Sequence, residues 1–195
     1  MAENMVNENE GIVGFPSKKP HHGRFNHGWF LQTHINVFTK IISPRTKVIV
    51  EIGSWYGSST KWLAENSSRD TKLYAIDLWD DNFIIQDDHY TSNKYEMLRG
   101  HPLYPTFLAN LWHHRDRVVP LRMDAVLGLE YLKSLNVEPD IIYIDADHHY
   151  DAVMRDIKAC LRLFPGAILV GDDYGNYEGV RKAVHECALD AMKPG

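Results

Sequence analysis

The sequence predicts an α/β fold, a three-layer αβα sandwich built on a mostly parallel sheet. Short, continuous runs of apolar and β-branched residues recur five times along the chain, and amphipathic helical patterns separate most of them. Such runs are typical of parallel strands that helices cover on both faces. The predicted strands are residues 48–50, 73–76, 118–121, 141–144 and 167–170.

The composition fits one globular domain of ordinary size. The 195 residues include 26 acidic and 21 basic side chains, which gives a formal net charge of −5. This acidity argues against a nucleic-acid partner, because binding a phosphate backbone requires a basic face. The sequence has neither an apolar stretch of membrane-spanning length nor the charged start and apolar run of a signal peptide, so we expect a cytoplasmic protein with no membrane partner.

The first part of the chain divides into an arm and the start of the domain. Residues 1–23 are rich in Asn, Glu, Gly, Pro and Lys, which predicts a flexible N-terminal arm before a domain spanning 24–195. Apolar residues recur at helical spacing from Phe25 to Ile42, and Ser43-Pro44 ends this predicted helix. The strand at 48–50 then leads through a glycine turn into a predicted helix at 58–65.

A long segment, residues 78–114, separates the second predicted strand from the third. Connections of this length in a compact domain are usually lids or binding inserts. Its first half contains Asp87, Asp88 and Tyr90, and its second half predicts a helix at about 103–112. Further helices follow the fourth and fifth strands, where apolar residues recur every three or four positions.

Each predicted strand ends in or close to an acidic residue. These residues are Glu51, Asp77, Asp124, Asp145 and the pair Asp172 and Asp173. In parallel sheets of this type, ligands bind beyond the carboxyl ends of the strands. The sequence therefore predicts a strongly acidic crevice at that edge of the sheet.

The first strand is followed by Glu51-Ile52-Gly53-Ser54-Trp55-Tyr56-Gly57-Ser58-Ser59. The glycine spacing, with an acid in front, differs from the Gly-x-Gly-x-x-Gly of dinucleotide sites. It favours a ligand with an ammonium group over a diphosphate, and a tight turn without any ligand is the alternative. Asp77, 20 residues after Gly57, is placed to accept the hydroxyls of a ribose.

Two further motifs concentrate carboxylates after the fourth and fifth strands. They are Asp145-Ala146-Asp147-His148-His149-Tyr150 and Gly171-Asp172-Asp173-Tyr174. Adjacent strands would bring three carboxylates together, and a divalent cation would offset their repulsion. Oxygen ligands suit Mg²⁺, with Ca²⁺ or Mn²⁺ as alternatives, unless these acids are solvated and only cap the following helices. His148 fits a general base near neutral pH.

The ordered motifs Glu-x-Gly-x-x-x-Gly, Tyr-Ala-Ile-Asp, Ile-Asp-Ala-Asp-His-x-Tyr and Gly-Asp-Asp-Tyr resemble those of class I S-adenosylmethionine (SAM)-dependent methyltransferases. Within this class they resemble the metal-dependent O-methyltransferases of the macrocin and rhamnosyl type, which act on sugars of natural products. The resemblance covers about residues 47–188, without the insert. It implies a Rossmann-like fold, SAM and Mg²⁺ (or another divalent cation) as cofactors, and O-methylation of a small hydroxylated acceptor.

The resemblance also implies residue roles. The methionine part of SAM would contact the glycine turn, and its ribose would contact Asp77. Its adenine would contact Leu78 and the pair at 124–125. The implied cofactor-binding residues are Glu51, Gly53, Ser54, Gly57, Ser59, Asp77, Leu78, Asp124, Ala125 and Asp145. The implied metal ligands are Asp145, Asp172 and Asp173. The implied catalytic residues are His148, where relatives have a Lys, and Asp147 as an alternative base or metal ligand.

The sequence departs from the family at its end. The family adds a two-strand hairpin after the last helix, whereas the predicted helix at 177–192 is followed only by Lys193-Pro194-Gly195. We expect the hairpin to be lacking. Either the sheet stops at five strands, or its edge is covered by the N-terminal helix, the insert or the second subunit of a homodimer.

Two other classes of function remain open from the sequence. The first is a non-catalytic module that binds SAM or a nucleoside. The second is another enzyme on the same fold, such as a nicotinamide oxidoreductase or a metal hydrolase. The glycine spacing weighs against the oxidoreductase.

Overall fold

The computed structural model of the chain describes residues 11–82, 98 and 100–191. In this part of the chain one sheet contains six strands, in the spatial order β1-β4-β3-β2-β5-β6. The strands are β1 (Ile12–Val13), β2 (Val48–Ile52), β3 (Lys72–Asp77), β4 (Val118–Arg122), β5 (Ile141–Ile144) and β6 (Ile168–Gly171). All five predicted strands are confirmed, and β1 is an addition to them.

Six α-helices accompany the sheet in the described ranges. They are α1 (Gln32–Ile41), α2 (Ser58–Asn66), α3 (Leu103–Leu111), α4 (Ala125–Ser134), α5 (Tyr150–Leu163) and α6 (Glu178–Ala191), with a 3-10 turn at Trp112–His114 after α3. The helix predicted in the second half of the insert is confirmed as α3. Residues 83–97, with Asp87, Asp88 and Tyr90, lie outside the described residues.

The prediction that the first helix begins at Phe25 is wrong, since α1 begins at Gln32. The side chain of Asn110 explains the difference. Its oxygen accepts the backbone N–H of Phe25, and its amide nitrogen donates to the backbone carbonyl of Phe25. Both backbone groups of Phe25 are therefore used in an extended segment that packs against α3, and they are not available for helical hydrogen bonds.

Strands β2 to β6 are parallel, and β2 lies at the centre between β3 and β5. Val50 of β2 pairs with Tyr74 on one side and with Ile142 on the other. The short strand β1 comes from the predicted arm and pairs antiparallel with β4, with Ile12 opposite Arg122. It covers the β4 edge of the sheet. The division into an arm and a domain stays a prediction.

The core lies on both faces of the sheet, because successive side chains of a strand point to opposite faces. Ile49 belongs to a buried cluster with Phe38 of α1 and Phe107 of α3. Val50 belongs to a second cluster with Leu129 of α4 and Cys160 of α5. These two clusters confirm the three-layer Rossmann-like sandwich.

The other edge of the sheet differs from the β4 edge. Among the described residues, β6 pairs only with β5, and Ile168 of β6 is 49% exposed. The predicted homodimer would cover this edge and stays a prediction. None of the helices in the described ranges has the length and apolar character needed to cross a membrane.

Candidate active site

The candidate site lies at the carboxyl ends of the parallel strands. The chain runs from β2 outward to β3 and β4, then returns to form β5 and β6 on the other side of β2. The strand order therefore reverses between β2 and β5, and this is where such sheets bind their ligands. The glycine turn follows β2, and the acidic motif 145–150 follows β5.

The turn after β2 requires glycine at two positions. Gly53 and Gly57 both have φ of +86°, a left-handed conformation that other residues adopt only with strain. A Cβ on Gly57 would lie 2.3 Å from Cδ2 of Leu111. The Gly53 N–H donates to the carbonyl of Ile76 on the neighbouring strand. The predicted strand, turn and helix are confirmed, and the turn is packed tightly against α3.

Glu51, at the end of β2, is a buried carboxylate whose two oxygens differ in their hydrogen bonds. The hydroxyl of Ser54 donates to Oε2 at 2.6 Å, and that of Thr60 donates to the same oxygen. The other oxygen, Oε1, has no hydrogen-bond partner among the described residues. Burial raises the pKa of Glu51, while the hydroxyls of Ser54, Ser59 and Thr60 lower it in part. An unpaired buried carboxylate oxygen is the partner that an ammonium group needs.

Asp77, at the end of β3, holds the glycine turn in place. Its Oδ2 accepts the backbone N–H groups of Ser54 and Trp55 at 2.8 and 2.9 Å, and its Oδ1 accepts that of Trp79 at 2.7 Å. Burial raises the pKa of Asp77, and these amides lower it in part. Oδ1 can accept one further bond, so the predicted ribose contact stays a prediction beside this structural role.

The predicted adenine contacts lie at the next strand ends. Leu78 follows β3 and is 58% exposed. Its side chain therefore offers an accessible apolar surface on which a flat ring could lie. Asp124 follows β4, where it caps α4 by accepting the Val126 N–H at 2.9 Å and lies 3.1 Å from Nη1 of Arg155. Ala125 is the first residue of α4. The structure places these residues along one side of the crevice.

Beyond β5 and β6, three side chains converge in a way that fits a cation. Ligand atoms of Asp145, His148 and Asp173 all lie within 4.8 Å of one another. Nε2 of His148 is 2.7 Å from Oδ2 of Asp173, and its ring stacks on Tyr177 at 4.1 Å. Burial, and then the negative charge of Asp172, raise the pKa of Asp145 to about 8. Carboxylates that are buried close enough together to raise a pKa in this way are typical of functional sites.

Asp172 lies next to this cluster but faces other partners. Its Oδ2 is 2.8 Å from Nε2 of His34 and 3.4 Å from the hydroxyl of Tyr143. Its Oδ1 accepts the backbone N–H of Asp173. The Tyr143 hydroxyl also donates to Oδ2 of Asp145 at 2.9 Å, so it links the two carboxylates. The three aspartates predicted as metal ligands therefore lie close together. His148, predicted as a general base, also lies where it could be a metal ligand.

Asp147 is occupied by local hydrogen bonds. Its Oδ1 accepts the backbone N–H of His149 at 2.8 Å and lies 2.6 Å from Nδ1 of the same residue. Burial raises the pKa of Asp147, but the bonds from His149 outweigh burial and leave the pKa lowered. A lowered pKa makes a carboxylate a weaker base.

Sequence reasoning missed His34 and Tyr143, because neither lies in a motif that follows a strand. It also missed the backbone conformations of Trp55, Trp79 and Asp173, which have φ of +49°, +43° and +59°. All three follow strands at the carboxyl edge, and backbone strain of this kind often concentrates at functional sites.

Asp145, His148, Asp172 and Asp173 are called the acidic cluster below. A cavity of about 270 Å³ opens beside this cluster. Asp145, His148 and Asp173 line its polar end. Apolar side chains from α5, β6 and α6 form its walls, among them Val153, Ile157, Leu161, Leu169, Val180 and Val184. The acidic cluster therefore borders both the crevice and an apolar space.

Residues 50–174 match the family model described as a methyltransferase domain. The match covers more than half of the chain, so the chain belongs to this methyltransferase family. The fold and the motifs at its strand ends make it a class I methyltransferase, the SAM-dependent type. No protein of curated function matches the chain significantly.

Solved structures share the fold. A presumed O-methyltransferase from Klebsiella pneumoniae is 22% identical, with a TM-score of 0.57 over 86% of this chain and 71% of its own. An O-methyltransferase from Bacillus cereus, in complex with SAH, is 20% identical, with a TM-score of 0.54 over 83% and 77%. The O-methyltransferase TomG from Streptomyces achromogenes, in complex with SAM, is 18% identical, with a TM-score of 0.53 over 84% and 67%. At these identities the likeness concerns the fold.

Proposed function

We propose that this protein transfers the methyl group of SAM to a hydroxyl oxygen of a small acceptor, with a divalent cation bound at the acidic cluster. The observation that carries the proposal is the buried Glu51, whose Oε1 has no hydrogen-bond partner in the part of the chain that the structure describes, on the strand next to the one whose end bears Asp145. A cationic donor and a cationic metal would each meet a carboxylate there. The solved O-methyltransferases with SAH and SAM on the same fold support this assignment.

The residues at the crevice fit SAM. Glu51 would bind its ammonium group through Oε1, and the left-handed backbone of Gly53 and Gly57 would shape the turn that receives the methionine part. Asp77 would accept the ribose hydroxyls, and Leu78 would cover the adenine. SAM supplies an electrophilic methyl group on a positively charged sulfur. The chain would fix the direction of that methyl group relative to the acceptor oxygen, which accounts for a large part of the rate in such transfers.

The acidic cluster fits a divalent cation in two arrangements. In the first, Asp145, Asp172 and Asp173 hold it with oxygen ligands only, which suits Mg²⁺. In the second, His148 replaces Asp172, as the convergence of ligand atoms favours, and a mixed set suits Mn²⁺ or another transition metal. A bound divalent cation lowers the pKa of a coordinated hydroxyl.

In the first arrangement His148 acts as the general base. Asp173, 2.7 Å from Nε2, would hold the proton on that nitrogen and leave Nδ1 free to take the proton of the acceptor. The stacked ring of Tyr177 holds the imidazole plane. Asp147 is the alternative base, and its lowered pKa makes it the weaker candidate.

The acceptor we propose is a hydroxylated natural product or one of its sugars. TomG takes part in tomaymycin synthesis, which supports a natural-product acceptor on this fold. The apolar cavity beside His148 would hold the body of such a molecule while its hydroxyl points to the acidic cluster. The formal charge of −5 disfavours RNA.

The test is a methyl-transfer assay with labelled SAM and a panel of sugars, phenolic compounds and RNA, with Mg²⁺, with Mn²⁺ and with EDTA. We expect transfer to a small hydroxyl compound that EDTA suppresses. Asp145→Asn should abolish this transfer and keep the dissociation constant for SAM within about tenfold, whereas the exposed Asp151→Asn serves as the matched control.

Other results would point elsewhere. SAM binding in calorimetry without transfer to any acceptor would favour the non-catalytic module. Tight NAD binding without SAM binding would favour another enzyme class. Full activity in saturating EDTA would remove the metal from the proposal. Loss of metal binding in His148→Ala but not in Asp172→Asn would favour the second arrangement of ligands.

A further inference from the structure

We infer that His34, in the N-terminal helix α1, is a positioning residue that holds the carboxylate of Asp172 in its working orientation. The inference rests on the proposed function in its first arrangement, in which Asp172 is a metal ligand, because it gives that carboxylate a supporting contact. His34 lies far from the cluster in the sequence and belongs to no motif there. The fold makes the contact by bringing the first turn of α1 beside the residue that follows β6.

The imidazole of His34 makes hydrogen bonds at both nitrogens. Nδ1 accepts the backbone N–H of Leu31 at 2.7 Å, and Nε2 lies 2.8 Å from Oδ2 of Asp172. Because Nδ1 accepts a hydrogen bond, it carries no proton in the neutral ring, and the proton must be on Nε2. The start of α1 thus selects the tautomer that donates to Asp172.

Packing limits the movement of this ring. The His34 side chain is 14% exposed, and it stacks on Phe30 with ring centroids 5.3 Å apart. One helical turn further on, Phe38 is fully buried and meets the ring of Tyr143 edge-on at 5.1 Å. The helix that carries His34 is therefore fixed to the residue that links the carboxylates.

Asp172 is consequently held at both of its oxygens. Oδ1 accepts the backbone N–H of Asp173, and Oδ2 meets His34 and the hydroxyl of Tyr143. The hydroxyl of Tyr143 lies 2.9 Å from Oδ2 of Asp145 and 3.4 Å from Oδ2 of Asp172, so it faces both carboxylates. The contact with His34 restrains rotation of the Asp172 carboxylate.

Supporting residues of this kind affect a metal or catalytic site without touching the substrate. Loss of a hydrogen bond to a ligating carboxylate typically costs about 10- to 100-fold in metal affinity or activity. We therefore expect His34→Leu to lower the affinity for Mn²⁺, measured by electron paramagnetic resonance, by about tenfold or more, and kcat by a similar factor. The dissociation constant for SAM should stay within about twofold, because the hydroxyls of Ser54 and Thr60, and not His34, hold the carboxylate of Glu51.

The conservative variant separates positioning from packing. The amide nitrogen of glutamine can reach the position of Nε2 and donate to Asp172, so His34→Gln should restore Mn²⁺ affinity and kcat to within about threefold of the wild type. Val37→Ala, at a 44% exposed position of the same helix, is the matched control. Equal impairment in His34→Gln and His34→Leu, or no impairment in either, would overturn the inference.

A readout that needs no activity separates this inference from the proposed function. Long-range ¹H–¹⁵N correlation spectra of the wild-type protein should show His34 as the Nε2–H tautomer, and Asp172→Asn should shift its Nε2 resonance. An Nδ1–H tautomer would contradict the geometry whatever the enzyme does. If the wild type transfers no methyl group while these spectra and the Mn²⁺ affinities follow expectation, the proposed function fails and the role of His34 stands.

Discussion

Gly53 at the end of β2 and Asp145 at the end of β5 are in direct backbone contact. A Cβ on Gly53 would lie only 1.9 Å from the carbonyl oxygen of Asp145 and 2.7 Å from Cα of Ala146. The turn proposed to receive SAM and the loop that begins the acidic cluster are therefore packed against each other. This contact sets the spacing between the candidate methyl donor site and the candidate metal site.

We expect Gly53→Ala to lower the free energy of unfolding by about 2 kcal/mol or more, measured by urea denaturation. A left-handed backbone costs a non-glycine residue about 1–2 kcal/mol, and the clash with Asp145 adds to it. Gly166→Ala is the control, because a Cβ there meets nothing within 4 Å. Equal stability of the two variants would show that the contact is not as tight as described.

Glu51→Gln should raise thermal stability at neutral pH and weaken SAM binding. Burial raises the pKa of Glu51 above its ordinary 4.5, so the folded protein binds this proton more tightly than the unfolded chain. The stability of the wild type should fall as the pH rises from about 4.5 through the pKa of Glu51 in the folded protein. The Glu51→Gln variant has no carboxyl to ionise here and should not lose this stability. The stability gain should vanish below about pH 4.

The SAM affinity of the same variant tests the other half of the argument. Replacing the carboxylate removes a charge-assisted hydrogen bond, worth about 1.5–3 kcal/mol, so calorimetry should show SAM binding weakened about 10- to 100-fold. Glu65→Gln, on the exposed side of α2, is the matched control. Unchanged SAM affinity in Glu51→Gln would remove Glu51 from the cofactor site.

His148→Ala should lower the rate of methyl transfer by about 10²- to 10⁴-fold, the usual contribution of a general base. His149→Ala is the matched control, since that neighbouring ring is largely exposed and contacts Asp147 instead. An unchanged rate in His148→Ala would exclude it as the base. Measuring Mn²⁺ affinity in the same variant distinguishes loss of a base from loss of a ligand.

Arg117→Met should lower the free energy of unfolding by about 3 kcal/mol, because it leaves buried acceptors unpaired. The buried guanidinium donates to the carbonyls of Ala64, Thr71 and Ser68 and to the hydroxyl of Ser67. The exposed Arg69→Met should change stability by less than about 0.5 kcal/mol. A small effect at Arg117 would mean that water replaces these bonds readily.

Much of the fold was predictable because local patterns encode it. Apolar β-branched runs such as Ile141–Ile144 specify strands that are covered on both faces, and each of the five predicted runs forms a parallel strand. The helix of the insert was predictable for the same reason. The start of α1 was not, because the bonds that keep Phe25 extended come from Asn110, 85 residues away.

The candidate site was predictable where its residues lie at the carboxyl ends of strands. Glu51, Asp77 and Asp145 meet at one edge because parallel strands place their carboxyl ends together. The partners of those carboxylates were not predictable from spacing. Trp79 donating to Asp77, and Tyr143 linking Asp145 to Asp172, depend on side-chain directions that only packing fixes.

The sequence by itself determined the order of strands and helices, the glycine turn and the set of acidic residues at the strand ends, since each is a property of a short stretch of chain. The tertiary structure decided which of these acids share a partner. It placed His34 beside Asp172 and His148 beside Asp173, and it left Oε1 of the buried Glu51 without a hydrogen-bond partner among the described residues. These contacts join segments that are distant in the chain, and they arise from the way α1 and the strand ends pack together.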